Sequence, residues 1–228
     1  MSNTKFKTLT NQDLEKVALF PLPNAVLFPS TILPLHIFEQ RYRTMTREAL
    51  EDNLPIVICK MLDPRKYNAH GQPLFNDVAG VGFIHNHQLL PDGRYNILLG
   101  GTHRVKIIEE LHDTGKPYRV GHAEIIQEKM DITGAINALV TTLQHTVDGL
   151  KKDYTMLARA LGKLLDETPN PASLADAVAS LILSDPDMRQ HMLEEPQVEQ
   201  RLDTLITQLA ALLNQSPDAS PQRDPWLN

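Results

Sequence analysis

The spacing of apolar positions changes near residue 127. Before it, short punctuated runs at 17–20, 56–61, 78–84, 95–99, 104–111 and 120–126 predict strands. Leu90-Pro91-Asp92-Gly93 sets Pro second and Gly fourth, the order of a type I turn, so its flanks form a hairpin. Gly100-Gly101 predicts another tight connection. One segment departs from this pattern: Phe38, Tyr42, Met45 and Ala49 recur at helical spacing and predict an amphipathic helix over 37–52, on which Glu39 and Arg43 are spaced to pair.

After residue 130 the period is helical throughout. Ile132, Ile136, Leu139, Val140, Leu143 and Val147 form one stripe, and Met156, Leu157, Ala160, Leu161, Leu164 and Leu165 a second. Thr168-Pro169-Asn170-Pro171 ends that helix, since proline cannot continue it. Ser173 then reads as the N-cap of a helix running to 183, and Asp185-Pro186 as a further helix start. A last stripe runs from Val198 to Leu213. The reading is an α+β chain with a β part at 12–127, a helical part at 128–214 and a Pro/Ser-rich tail at 215–228, in which Trp226 reads as an untethered terminal residue.

Charge follows the same division. Residues 1–127 hold 14 basic and 13 acidic side chains, residues 128–228 hold 8 and 15, and the chain of 228 residues carries a net charge of −6. That balance disfavours nucleic acid wrapped over the whole molecule, because phosphate binding needs clustered Lys and Arg. A 42% hydrophobic fraction suits a packed core and excludes wholesale disorder. One cysteine, no apolar leader and no run long enough to span a bilayer point to a soluble cytoplasmic protein without a disulfide framework.

Catalytic chemistry is hard to find. No serine sits in a G-x-S-x-G elbow, and no phosphate-binding loop is present. Cys59 lies inside an apolar strand and reads as a buried hydrophobe. His85 and His87 share a strand face, with His103, His112 or His122 as a third candidate metal ligand, but no H-x-x-x-H or C-x-x-C supports them, and solvated strand-end histidines are the preferred reading. His36, between Leu35 and Ile37, reads as a partly buried, satisfied histidine.

The segment 19–42 is the most specific feature. Its Phe20-Pro21-Leu22-Pro23, Val26-Leu27-Phe28-Pro29 and Leu33-Pro34-Leu35-His36-Ile37-Phe38-Glu39-Gln40-Arg41-Tyr42 resemble the start of the Lon protease N-terminal substrate-binding domain family. Leu90 to Ile97 with Gly101 to Val105 is similar to the family's next segment, and Arg189 to Glu194 with Arg201-Leu202 to its helical motifs. The resemblance runs over about 15–214. Two positions depart from it: Ser30 follows Pro29 where the family usually has glycine, and Gly80-Val81 stands where it often has Gly-Thr.

The resemblance implies a PUA-like β pseudobarrel with one helix, followed by a helical bundle, in which Phe38 and Tyr42 seat the helix. It implies a non-catalytic module with no cofactor or metal, standing alone without ATPase or protease domains. Such a module binds exposed or unfolded polypeptide segments, or acts as an adaptor to a protease or chaperone partner. If the groove beside the first helix binds the partner, His36, Arg41 and Tyr42 are the candidate contacts. The alternative is an RNA-binding PUA-like protein, using the basic residues of the β part. A small-ligand pocket in the barrel is a third reading, for which the chain lacks the zinc-binding cysteines that accompany it in some relatives.

Overall fold

The computed structural model describes residues 9–63, 65–68, 71–131 and 134–214. Ile132 and the expected tail with Trp226 lie outside these residues. Six strands form one sheet: β1 (Val17–Leu22), β2 (Ile32–Ile37), β3 (Ile56–Lys60), β4 (Val78–Leu89), β5 (Tyr95–Leu111) and β6 (Arg119–Ile125). The order is β2-β5-β4-β3-β1-β6, and a further β5–β6 pairing closes five of the strands into a ring with β2 attached outside it. This is the expected α+β architecture, a closed β structure followed by helices.

β5 makes closure possible because it is one strand of 17 residues and not two. Its first half pairs with β2, its second half with β6, and β4 lies along both. Gly100-Gly101 is therefore no connection, contrary to the sequence reading. The two glycines allow close approach: a Cβ on Gly101 would lie 2.1 Å from the Phe28 carbonyl oxygen, and one on Gly100 2.0 Å from His85 Nε2. The β4–β5 hairpin forms as expected. Gly93 N–H donates to the Leu90 carbonyl at 2.9 Å, and Gly93 takes φ 79°, the left-handed position closing a three-residue loop.

β1 and β3 run parallel, so a crossover must join them, and it carries α1 (Gln40–Asp52). β3 is buried on both faces, which explains its unbroken Ile-Val-Ile-Cys run. Val57 and Cys59 enter one core with Leu14, Leu19, Val81, Phe83 and Val105; Ile56 and Ile58 enter another with Phe20, Tyr42, Met45 and Leu99. Ser30 adopts φ 60°, backbone that glycine enters freely, which gives the glycine usual at this position of the resembled family a physical reason.

The remaining helices are α2 (Gly134–Leu150), α3 (Thr155–Glu167), α4 (Pro171–Ile182), α5 (Pro186–Glu194) and α6 (Val198–Leu213). The cap of α4 is Asn170 and not Ser173: its Oδ1 accepts from the Ala172 and Ser173 amides at 2.9 and 3.1 Å, with Pro171 as the first helical residue. Asp185 caps α5 as expected, accepting from Asp187 N.

The described residues divide into two compact units, one of those up to 128 together with 179–196, the other of 129–178 and those from 197 onward. The helical residues are thus not one contiguous body, because α5 belongs with the strands. Three polar contacts bind it there: Lys60 Nζ to Asp187 at 2.6 Å, Gln190 Nε2 to the Val78 carbonyl at 2.9 Å, and Arg104 Nε to the Leu193 carbonyl at 3.0 Å. In the second unit, α2 and α6 pack together and buried Arg201 meets buried Asp176 at 2.5 Å.

Candidate functional site

β2 has β5 as its strand neighbour, and among the described residues no strand pairs with its other edge. Side chains alternate across a strand, so Ile32, Pro34 and His36 share one face, and their partners Leu98 and Asn96 on β5 and Asn86 and Gln88 on β4 continue it. Pro34 interrupts the row of amide donors along the strand, which blunts edge-to-edge pairing. What remains is a shallow groove of about 430 Å³, lined by Pro34, Leu35 and His36 on one side and residues 86–88 and 96–98 on the other.

The groove combines apolar surface with an ordered polar ladder. Ile32 is 50% exposed, Leu98 40% and Phe38, just past the end of β2, 62%. Arg94 Nη1 donates to His36 Nε2 at 3.3 Å, which leaves Nδ1 to carry the ring proton and donate to Asn96 Oδ1 at 2.7 Å. Asn96 Nδ2 then donates to Gln88 Oε1 at 3.4 Å. The charges beside the groove are paired: Arg94 with Asp92 at 2.5 Å, and Arg41 with Glu39 at 2.9 Å. The first pairing holds the Asp92 carboxyl below the usual carboxylate range.

The three expected contact residues fare differently. His36 is exposed, not partly buried, and stacks 6.2 Å from the Phe38 ring. Arg41 is exposed and lies 4.5 Å over the Tyr42 ring. Tyr42 is only 5% exposed, its ring 4.2 Å from Phe20, and burial raises its phenol pKa. It packs the helix against the sheet, so of the pair expected to seat the helix only Tyr42 does. Phe38 faces outward instead. Glu39 precedes α1 and pairs with Arg41 rather than Arg43. Sequence reasoning misses Phe38, Leu98 and Asn96 as candidates; the period-2 run Ile32, Pro34, His36, Phe38 carries a signal for Phe38, whereas Leu98 and Asn96 reach this face only through the pairing of β2 with β5.

The other candidates are placed as follows. A register shift between Ile84 and Asn86 makes His85 a bulge, which breaks the strand alternation that put His85 and His87 on one face. Among the described residues no group of three or more His, Cys, Asp or Glu is arranged to hold a metal ion. His103 is half-buried, and desolvation lowers its pKa. Cys59 is fully buried and its thiol pKa is pushed up by desolvation. A smaller cavity of about 180 Å³ lies between α1, β1 and β6, floored by Val17, Met45, Ala49 and Tyr118. Near it Glu48 accepts from Tyr118 Oη at 2.5 Å and Lys116 Nζ at 2.7 Å. Those bonds hold the Glu48 carboxyl below its ordinary range, while burial and the Glu48 charge raise the Tyr118 phenol.

Comparison with known proteins gives a consistent result. Residues 16–211 match the family described as the ATP-dependent protease La (LON) substrate-binding domain. A Lon protease of Paraburkholderia phytofirmans is 27% identical over 203 residues, which is 86% of this chain and 24% of that protein. Lon protease 2 of Syntrophobacter fumaroxidans is 27% identical over 191 residues, 83% of this chain and 23% of that protein. The chain thus spans about a quarter of the length of the curated relatives it matches. In fold it is similar to the N-terminal domain of a Mycobacterium avium complex Lon protease (TM-score 0.66, 18% identity, 86% of this chain and 98% of that one). It is likewise similar to a Lon N-terminal domain protein from Xanthomonas campestris (TM-score 0.60, 21% identity, 84% and 97%).

Proposed function

Because the chain belongs to the Lon substrate-binding domain family, we propose that it is a polypeptide-binding module without catalysis of its own. It takes exposed or unfolded segments on the outer face of β2, β5 and β4, directly or as an adaptor for a protease or chaperone. The observation that carries this is the row of exposed apolar side chains on this face, Ile32 and Phe38 at the two ends of β2 and Leu98 beside Pro34, next to a groove that also presents the amides of Asn86, Gln88 and Asn96. An extended segment offers backbone donors and acceptors to Asn86, Gln88 and Asn96 while its apolar side chains meet Leu98 and the exposed residues along β2. Phe38, His36 and Arg41 are the contacts this reading favours, with Tyr42 supporting them from below. The paired arginines beside the groove favour an uncharged segment over RNA, since their charge is already met by Asp92 and Glu39.

The test is fluorescence anisotropy with a labelled, permanently unfolded polypeptide, reduced and alkylated α-lactalbumin. Wild type binds, and Phe38→Asp and Leu98→Asp each weaken binding by about tenfold or more with unchanged melting, as expected for exposed anchor residues. Absence of binding by wild type, or binding indifferent to both substitutions, overturns the reading. Binding of labelled RNA that falls steeply with salt puts the nucleic-acid alternative in its place.

A further inference from the structure

Arg189 differs from the other polar groups of α5. Asp187, Gln190 and the Leu193 carbonyl each hold the helix to the strands, and Arg189 takes no part in that. Its guanidinium is half-buried, with Cζ 5.9 Å from the centre of the Phe28 ring. The acceptors it reaches are the carbonyl and hydroxyl oxygens of Ser180, both at 3.4 Å from Nη2, the long end of the hydrogen-bond range. Among the described residues Nε is sealed from water with no acceptor, and the hydrogen bonds the guanidinium makes leave Nη1 unused. Among the described residues Arg189 has no ion-pair partner, and desolvation alone lowers its pKa. A cation partly withdrawn from water loses solvation that a bound anion restores.

We propose that Arg189, with Ser180 beside it and the Phe28 ring behind it, forms a subsite for a carboxylate. A single guanidinium offers one positive charge, which a carboxylate matches and a phosphate dianion exceeds. The planar fork suits two parallel oxygens, and the Nη1 donor that makes no hydrogen bond within the described residues is left for one of them. Phe28 belongs to the Val-Leu-Phe-Pro turn and Arg189 to the Arg-Gln helix motif, so the fold joins two distant sequence features at one point. The side-chain carboxylate of Asp or Glu and the free carboxylate of a chain end share this chemistry. The subsite is separate from the β2–β5–β4 groove, and its test does not depend on that groove binding anything.

The experiment follows the Arg189 Nε–Hε resonance of the 15N-labelled full chain, assigned by its loss in Arg189→Met and in Arg189→Lys. The sealed Nε proton exchanges slowly enough with water to be observed. Sodium acetate is expected to shift this resonance saturably, while sodium chloride at the same ionic strength leaves it in place. Ser180→Ala should weaken the acetate response severalfold. A capped tripeptide with an internal Glu and one with a free C-terminus then compete as carboxylate sources, and whichever saturates the shift at lower concentration identifies the natural one. A shift linear in acetate, one matched by chloride, or a tighter response to inorganic phosphate than to acetate overturns the proposal.

Discussion

Gly101 shows how one atom decides a position. The Phe28 carbonyl oxygen occupies the space of its missing Cβ, and backbone cannot rotate away as a side chain would. Gly101→Ala should therefore cost about 3 kcal/mol or more in urea unfolding, at the upper end for overpacking. Gly162, inside α3 with nothing within 4 Å of its Cβ position, should respond in the opposite sense. Gly162→Ala removes unfolded-state freedom and adds about 0.5–1 kcal/mol. Glu48 offers a pH-dependent counterpart. Its carboxyl is held low by Lys116 and Tyr118, so it is charged in the folded state down to a lower pH than in the unfolded chain. Its contribution is present above the ordinary carboxylate pKa and is lost as pH falls through the depressed one. Glu48→Gln should lower stability at neutral pH and flatten the acid side of the stability–pH curve, read from urea titrations at successive pH values. At this scale exposure was only partly legible: His36 stands exposed against the reading of a partly buried ring, and burial of Tyr42 depends on Phe20 from a distant strand, which spacing along one helix does not reveal.

Elements that answered to local rules were legible, and those that answered to tertiary ones were not. The β4–β5 turn carried Pro and Gly at their required positions, and Asp185-Pro186 carried its own cap. β2 was not read as a strand because Pro34 and the following motif obscure its alternation, and Pro34 fits only because β2 lies at an edge. The fusion of 95–99 with 104–111 into one strand was hidden by Gly100-Gly101, whose purpose is clearance for Phe28 and His85. The placement of α5 with the strands was equally invisible, because it rests on contacts such as Gln190 to Val78, 112 residues apart. Gln190→Leu leaves that carbonyl without its donor, so it should cost about 1–3 kcal/mol. Hydrogen exchange would localise the loss, with amides of 186–194 exchanging faster while those of β1 and β3 keep their protection.

At the scale of the whole molecule, each compact unit has a fully buried arginine met by a carboxylate, exposed Glu128 in one and buried Asp176 in the other, and this makes their energetics separable. In the first, the fully buried Arg104 side chain meets Glu128 at 2.7 Å. In the second, Arg201 meets Asp176 at 2.5 Å, both within the helical unit and both nearly inaccessible to water. Removing one partner of such a pair strands a charge in a low-dielectric interior, a larger penalty than the pair's own net contribution. Asp176→Ala should therefore cost about 3–5 kcal/mol, and the loss should fall first on the unit that contains it. In a hydrogen-exchange comparison with wild type, amides of α2 and α6 lose protection strongly while those of β3, β4 and β5 change little. Uniform loss across strands and helices would instead mean that the two units unfold as one cooperative body. A double variant, Asp176→Leu with Arg201→Met, separates the two contributions: replacing both charges with apolar groups should restore much of the stability that Asp176→Ala removes, because the cost lies in a buried guanidinium deprived of this carboxylate rather than in the missing bond.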